Sequence, residues 1–394
     1  MRGYVRKRAK HKNSWSVTVD LGKDPVTGKR KQKYFTVEGS KKDAEKFLTQ
    51  VLRDLDTGRY VDPAKMTTGE FLETWIENHG INVKVTTKEN YESIIRTHLV
   101  PELGNIPLSK LSPIHIQSLY AKKLQRGRAD GKDGGLSTRM VRYMHSLLVE
   151  SLNYAVSIKL IPENPARSVK PVRVSQKEMT CLTPEQVKAF LEAAKSDRFC
   201  PLFLCALGTG LRRGELLGLK WQDVDLDKAT LAVRRTLART KKGLVFQEPK
   251  SQMSCRTVTL PEEVVKALRA VKIEQAKQKL KAGPLYQDSG LVFATSVGTP
   301  LNPENVTKRH LYPVLEKAGL PRIRFHDLRH THATLLLLKG ENVKVVSERL
   351  GHTSVAITLK TYAHVLPGMQ EGAAKRINAL LETGFCTQRT QWTQ

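Results

Sequence analysis

The sequence predicts a multidomain chain, mainly α with small antiparallel β. Period-two alternation is confined to residues 14–37 and to short runs at 229–236, 243–247 and 256–260. Helical periodicity fills 67 to about 160 and most of the chain beyond 180. Stretches rich in turn residues or charge separate these regions, and 394 residues suffice for two or three domains. The expected division is a small sheet-and-helix domain at 1–60, a helical domain at 67–165, a basic linker at 166–179, a mixed α+β domain at 180–385 and a tail at 386–394.

The first domain is expected as a three-stranded sheet backed by one helix. Trp15, Val17, Val19 and Leu21 share one strand face, DPVTGKR turns the chain, and KQKYFTV returns it. Ser40 and Asp43 form a capping box, after which Ala44, Phe47, Leu48, Val51, Leu52 and Leu55 trace a helical stripe to Gly58. Residues 1–50 hold fourteen Lys or Arg against five Asp or Glu, with Trp15, Tyr34 and Phe35 among them. Such a sheet could lay its strands in a DNA groove, the alternative being a merely soluble surface.

Helices follow at 68–78 (Phe71, Leu72, Trp75 and Ile76 inward) and at 87–99 (Tyr91, Ile94, Ile95 and Leu99 inward). Ser112 and Pro113 supply a cap and an N1 proline, and Ser137 caps a long helix to Lys159. The basic run RSVKPVRVSQKE breaks the pattern and reads as an exposed connection. Thr183 and Pro184 then open the last domain.

Lys plus Arg number 66 and Asp plus Glu 38, a formal charge of +28. That excess points to a polyanionic partner, nucleic acid before an anionic membrane surface. No apolar run approaches the ~20 residues of a membrane span, and MRGYVRKRAKHK lacks the apolar segment of a secretory signal. Cys181, Cys200, Cys205, Cys255 and Cys386 show no CxxC spacing and read as thiols of a reducing cytoplasm.

Chemistry concentrates in residues 324–365. His326 and Arg329 are three apart, so they share a helix face. Gly340 stops that helix, Val343 to Leu350 makes a second one closed by Gly351, and Thr353 or Ser354 caps a third that carries Tyr362. A basic pair, the imidazole of His352 and a phenol on consecutive helices suit a phosphate with a nucleophile beside it.

HDLRH, then LGH, then a tyrosine ten residues past that histidine resembles the tyrosine recombinase (phage integrase) family, and TGLRRGELLGLKWQDVD resembles the family's upstream box. The resemblance implies a site-specific DNA recombinase that cuts and rejoins strands through a covalent 3′-phosphotyrosine, for integration or excision of a phage or mobile element. It implies Arg212 and Arg329 as the two guanidiniums on the phosphate, with Glu215 holding Arg212. Arg213 is adjacent, but the family pattern places the arginine two residues after the glycine. Tyr362 is implied as nucleophile, His326 as its proton acceptor and His352 as a hydrogen-bond donor to the phosphate. Lys250 matches the lysine that protonates the leaving 5′ oxygen, with Lys241 and Lys242 as competitors.

No cofactor or metal is implied. The implied partners are double-stranded DNA at core and arm attachment sites, a homotetramer in the synaptic complex, an excisionase and host DNA-bending proteins. The implied location is the cytoplasm, at the nucleoid. A zinc site on His326 and His330 competes weakly, because Asp327 stands where a zinc protease has glutamate and His332 lies on another face. A type IB topoisomerase shares the phosphotyrosine chemistry, and an architectural DNA-binding protein shares the charge without needing the tyrosine.

Overall fold

The computed structural model describes residues 3–8, 13–23, 28, 30–56, 66–128, 133–175, 179–248, 255–362, 374–375, 377–379 and 381. The chain divides into two compact units, 1–175 and 176–394.

In the first unit, β1 (Gly3–Lys7), β2 (Ser14–Lys23) and β3 (Arg30–Glu38) form an antiparallel sheet in that order. Val17 pairs with both Val5 and Phe35, which puts the apolar alternation of all three strands on one face. Helix α1 (Lys41–Asp56) covers that face, burying Ala44 and Val51 against Val17 and Val19. Its start is the expected box: the Ser40 backbone N–H donates to Asp43 at 2.9 Å, and the Asp43 N–H donates to Ser40 Oγ at 3.3 Å. Phe47, expected on the buried stripe, is 36% exposed and meets Phe35 edge-on at the margin. The side chain of Leu21 and the whole of Gly58 lie outside the described residues.

The helical part comprises α2 (Thr68–His79), α3 (Val85–Ile94), α4 (Val100–Leu103), α5 (Pro113–Gln125) and α6 (Thr138–Ser157). A wide turn, Ile95–Leu99, carries α3 directly into α4. Phe71, Leu72, Trp75, Leu99, Ile116, Met144 and Leu148 close the core. This core reaches further than the sequence suggests. Ala166 is fully buried and Val169 nearly so, because Asn164 accepts the Ala166 N–H and turns 165–168 back onto the helices. The stretch read as linker from 166 therefore starts as packed structure, and 176–178 lie outside the described residues.

The second unit is built around α8 (Cys200–Thr209), whose Leu202, Phe203, Cys205 and Ala206 are all buried. A helix apolar all round belongs inside. Around it stand α7 (Pro184–Ala194), the short α9 (Arg213–Leu217), α10 (Glu262–Ala282), α11 (Pro303–Asn305), α12 (Tyr312–Lys317) and α13 (Phe325–Leu338). Helices α14 (Val343–Leu350) and α15 (Val355–Tyr362) finish the described part with a small core of Ala333, Leu337, Val346, Leu350 and Tyr362. Cys181, Cys200, Cys205 and Cys255 are free thiols, and Cys386 lies outside the described residues.

One strand expectation is corrected. The run at 229–236 is two strands in different sheets. β4 (Val224–Asp225), β5 (Thr230–Val233) and β8 (Arg256–Thr259) form one sheet, whereas β6 (Thr236–Thr240) and β7 (Gly243–Gln247) form a separate ribbon. Arg234 and Arg235 interrupt the ladder because both turn to the buried Asp223 carboxylate. Among the described residues no helix is long and apolar enough to cross a membrane.

Candidate active site

The site forms where α8 ends. Gly210 takes a left-handed conformation (φ 66°), and a β-carbon there would meet His332 at 2.5 Å. The chain reverses and Arg212 becomes the N-cap of α9. Glu215, 5% exposed, reaches back to accept from the Arg212 backbone N–H at 2.9 Å and from its guanidinium at 2.7 Å. Glu215 is thus bonded to both the backbone and the guanidinium of Arg212. Arg213 points elsewhere, donating to the Pro303 carbonyl and to Thr307.

Arg329 rises from the second turn of α13 into the same place and is 2% exposed. One arm of its fork donates to the Gly210 carbonyl at 2.8 Å, the other to the Leu350 carbonyl at 2.7 Å. Lysine could not hold both. Gly351, left-handed at φ 64°, turns its own carbonyl toward Arg212, 3.4 Å away.

A third guanidinium was not foreseen. Arg256, at the start of β8, donates to the second Glu215 oxygen at 3.0 Å and to the Arg349 carbonyl at 2.7 Å. It lies so close under Gly351 that a β-carbon there would meet it at 2.9 Å. No sequence signal joins Arg256 to Glu215, because 41 residues separate them. Two arginines therefore pair with one carboxylate, and the third, Arg329, is held by backbone carbonyls. Burial, then repulsion from Arg212 and Arg256, pulls Arg329 down to about 9. Such uncompensated positive charge, held by carbonyl dipoles, is prepared for an anion.

Tyr362 closes the site from α15. It is 1% exposed, and burial raises its phenol well above the usual range, with Arg329 partly opposing. Its hydroxyl meets Nδ1 of His330 at 2.8 Å. The partner expected from the sequence was His326. The two imidazoles sit one turn apart on α13, ring centroids 4.8 Å apart and edge to face, and Tyr362 at the end of α15 meets the later one. His326 instead lines a cavity of about 390 Å³ with Arg213, Thr307, Tyr312 and Arg324. His352 pairs Nδ1 with Thr358 Oγ1 at 2.8 Å, which leaves Nε2 as the nitrogen that can face a ligand. The larger trough, about 930 Å³ around Trp221 and Lys272, shares none of these residues.

His332 uses both nitrogens inside the protein, Nδ1 donating to the Leu207 carbonyl and Nε2 accepting from Arg349. It is a satisfied core histidine, and among the described residues no cluster of metal-ligating side chains forms. Lys250 lies outside the described residues, while Lys241 and Lys242 are exposed at the tip of the β6–β7 hairpin.

Burial, reinforced by neighbouring arginines, lowers His326, His332 and His352 each to about 4. Between that value and ~6.5 the unfolded chain binds more protons, so acid favours unfolding. Stability is complete above pH ~6.5 and declines toward pH ~4. The melting temperature is expected to be lower at pH 5 than at pH 7 by ~5 °C or more in scanning calorimetry. Equal melting temperatures would mean that these imidazoles charge freely in the folded protein.

The phage integrase family model matches residues 180–368, and the model of the N-terminal SAM-like domain of phage integrases matches 67–124. A XerC-like tyrosine recombinase from Caldanaerobacter subterraneus subsp. tengcongensis is 34% identical over 389 residues, covering 94% of this chain and 97% of that protein. The ICEBs1 integrase of Bacillus subtilis is 26% identical, covering 93% of this chain and 97% of its own. The Tn1549 transposon integrase, solved in complex with transposon right end DNA, shares the fold with a TM-score of 0.66, at 24% identity, over 79% of this chain and all of that one. A buried arginine cluster with a tyrosine set against it, and full-length kinship at this level, lead to one conclusion: the chain belongs to the phage integrase family and is a tyrosine recombinase.

Proposed function

We propose that this recombinase is the integrase of a phage or integrative mobile element, acting as a tetramer that pairs two DNA duplexes. The observation that carries the reading is the buried excess of guanidinium charge around Arg329, beside the Tyr362 phenol. A phosphodiester brings one negative charge, and more develops on its non-bridging oxygens during transfer. Arg212 and Arg329 clamp those oxygens, with His352 and His326 as neutral donors. Tyr362 Oη attacks phosphorus, the P–O5′ bond breaks, and Lys250 protonates the departing 5′ oxygen. The bond's free energy stays in the 3′-phosphotyrosine, so a 5′-hydroxyl from the partner strand can reverse the step without ATP.

The N-terminal sheet supports a second, arm-site contact. On the face opposite α1, Tyr4 and Tyr34 flank Thr18 and are 55% and 65% exposed. Arg6 lies on the same face, and Arg8 reaches Thr36 there. Basic and aromatic side chains on an open sheet face suit a DNA groove. The helical part and the second unit hold the core site, and a host DNA-bending protein and an excisionase would set direction.

Deleting residues 1–58 is expected to leave cleavage of nicked core-site DNA nearly intact and to abolish integrative recombination. The tether supplies effective concentration at the arm site, which the deletion removes without touching the catalytic contacts. Binding to arm-containing DNA should lose about 0.9 of log–log salt slope for each phosphate contact removed. Equal losses on core-only DNA would place residues 1–58 in the core clamp and end the arm-site reading.

A further inference from the structure

We propose that His330 is the base that accepts the Tyr362 proton when the phenol attacks DNA. The inference rests on the reading of Tyr362 as nucleophile and concerns the group that makes it one. A phenol of pKa about 10 has to shed its proton on attack. Tyr362 is 1% exposed, so solvent water has little access to its oxygen. His330 Nδ1 is already 2.8 Å from that oxygen, within the distance for direct transfer.

The surroundings suit a base that must be neutral at rest and cationic afterwards. From its own helix His330 is faced by Arg324, His326, Asp327 and Arg329, and from α15 by Tyr362. Cys181, which accepts from Thr334, approaches the Tyr362 side of the pair. Burial and the two arginines keep the ring uncharged, while Asp327 favours the imidazolium once it forms. Asp327 is itself held by two bonds from the Arg324 guanidinium, at 2.7 and 3.1 Å.

The step balances. As the Oη–P bond forms, the phenolic proton moves to His330 Nδ1, and the electron pair of the broken P–O5′ bond leaves with the 5′ oxygen. In rejoining, the 5′-hydroxyl attacks, the P–Oη bond breaks, and the imidazolium returns the proton to Tyr362. His326, one turn earlier, is then free to serve the phosphate.

The test is single-turnover cleavage of a nicked suicide duplex by the full chain between pH 5.5 and 9. Asparagine can place an oxygen near the position of Nδ1, so His330→Asn keeps an acceptor and loses the basicity. Cleavage by His330→Asn is expected to fall on the order of 100-fold, with DNA affinity within twofold. The wild-type decline at acid pH should vanish in this variant and persist in His326→Asn. His330→Ala should be accelerated by added imidazole, in proportion to its neutral form. A fluorinated tyrosine of lower pKa at position 362 should lose less to His330→Asn than tyrosine does.

A His330→Asn enzyme within threefold of wild type, with the same pH profile, would overturn the proposal. So would His330→Ala that imidazole fails to accelerate. Neither result touches Tyr362 as nucleophile, which fails only if Tyr362→Phe still forms a covalent adduct.

Discussion

Tyr362→Phe is expected to lower covalent capture of nicked core DNA by a factor on the order of 10⁴ or more, with DNA affinity nearly unchanged. Affinity comes from many phosphate contacts, whereas only the phenolic oxygen forms the bond to phosphorus. The ring is fully buried in a small core with Leu337 and Leu350, and phenylalanine refills that volume. What the variant loses is the hydrogen bond to His330, leaving half-buried Nδ1 without its partner at a cost of about 1 kcal/mol. Folding should survive with a melting temperature lower by only ~2–4 °C. Denaturing gels of the nicked substrate read the adduct, and a band on the Phe variant would move the nucleophile elsewhere.

Arg329→Lys is expected to slow cleavage by about 10²–10³, the usual loss when one donor to a developing oxyanion is removed. The guanidinium ties the Gly210 and Leu350 carbonyls together while presenting charge to the phosphate. An ammonium keeps the charge but holds at most one of those geometries. A substrate with sulphur at the bridging 5′ position separates this loss from a missing acid. A thiolate leaves without a proton, so Lys250→Ala should recover on it, whereas Arg329→Lys should stay slow because phosphoryl charge still needs its clamp. If Lys250→Ala stays slow on the sulphur substrate, Lys241 or Lys242 becomes the acid to test. If Arg329→Lys recovers, Arg329 acts on the leaving group rather than on the phosphoryl oxygens.

What was legible in the sequence is what short-range rules govern. Helix α14 ends at Leu350 because Gly351 can turn left-handed, and α15 begins because Ser354 accepts the Ala356 N–H. The same locality made Glu215 readable as the keeper of Arg212, since three residues on a helical turn bring them together. The choice between Arg212 and Arg213 came from the family resemblance, since local rules do not separate adjacent arginines. In the fold Arg213 donates to the Pro303 carbonyl.

The tertiary structure alone decided which distant groups meet. Arg256 reaches Glu215 only because β8 pairs with β5 and carries its first residue under Gly351. The run at 229–236 divides because Asp223, buried beside it, draws Arg234 and Arg235 out of the ladder. Two histidines one turn apart on α13 are equivalent to any periodicity argument. Tyr362, the last residue of α15, packs with Leu337, Val346 and Leu350, and that placement gives its hydroxyl to His330. Helical spacing assigns a side chain to a face, while its partner is assigned by whatever packs on that face.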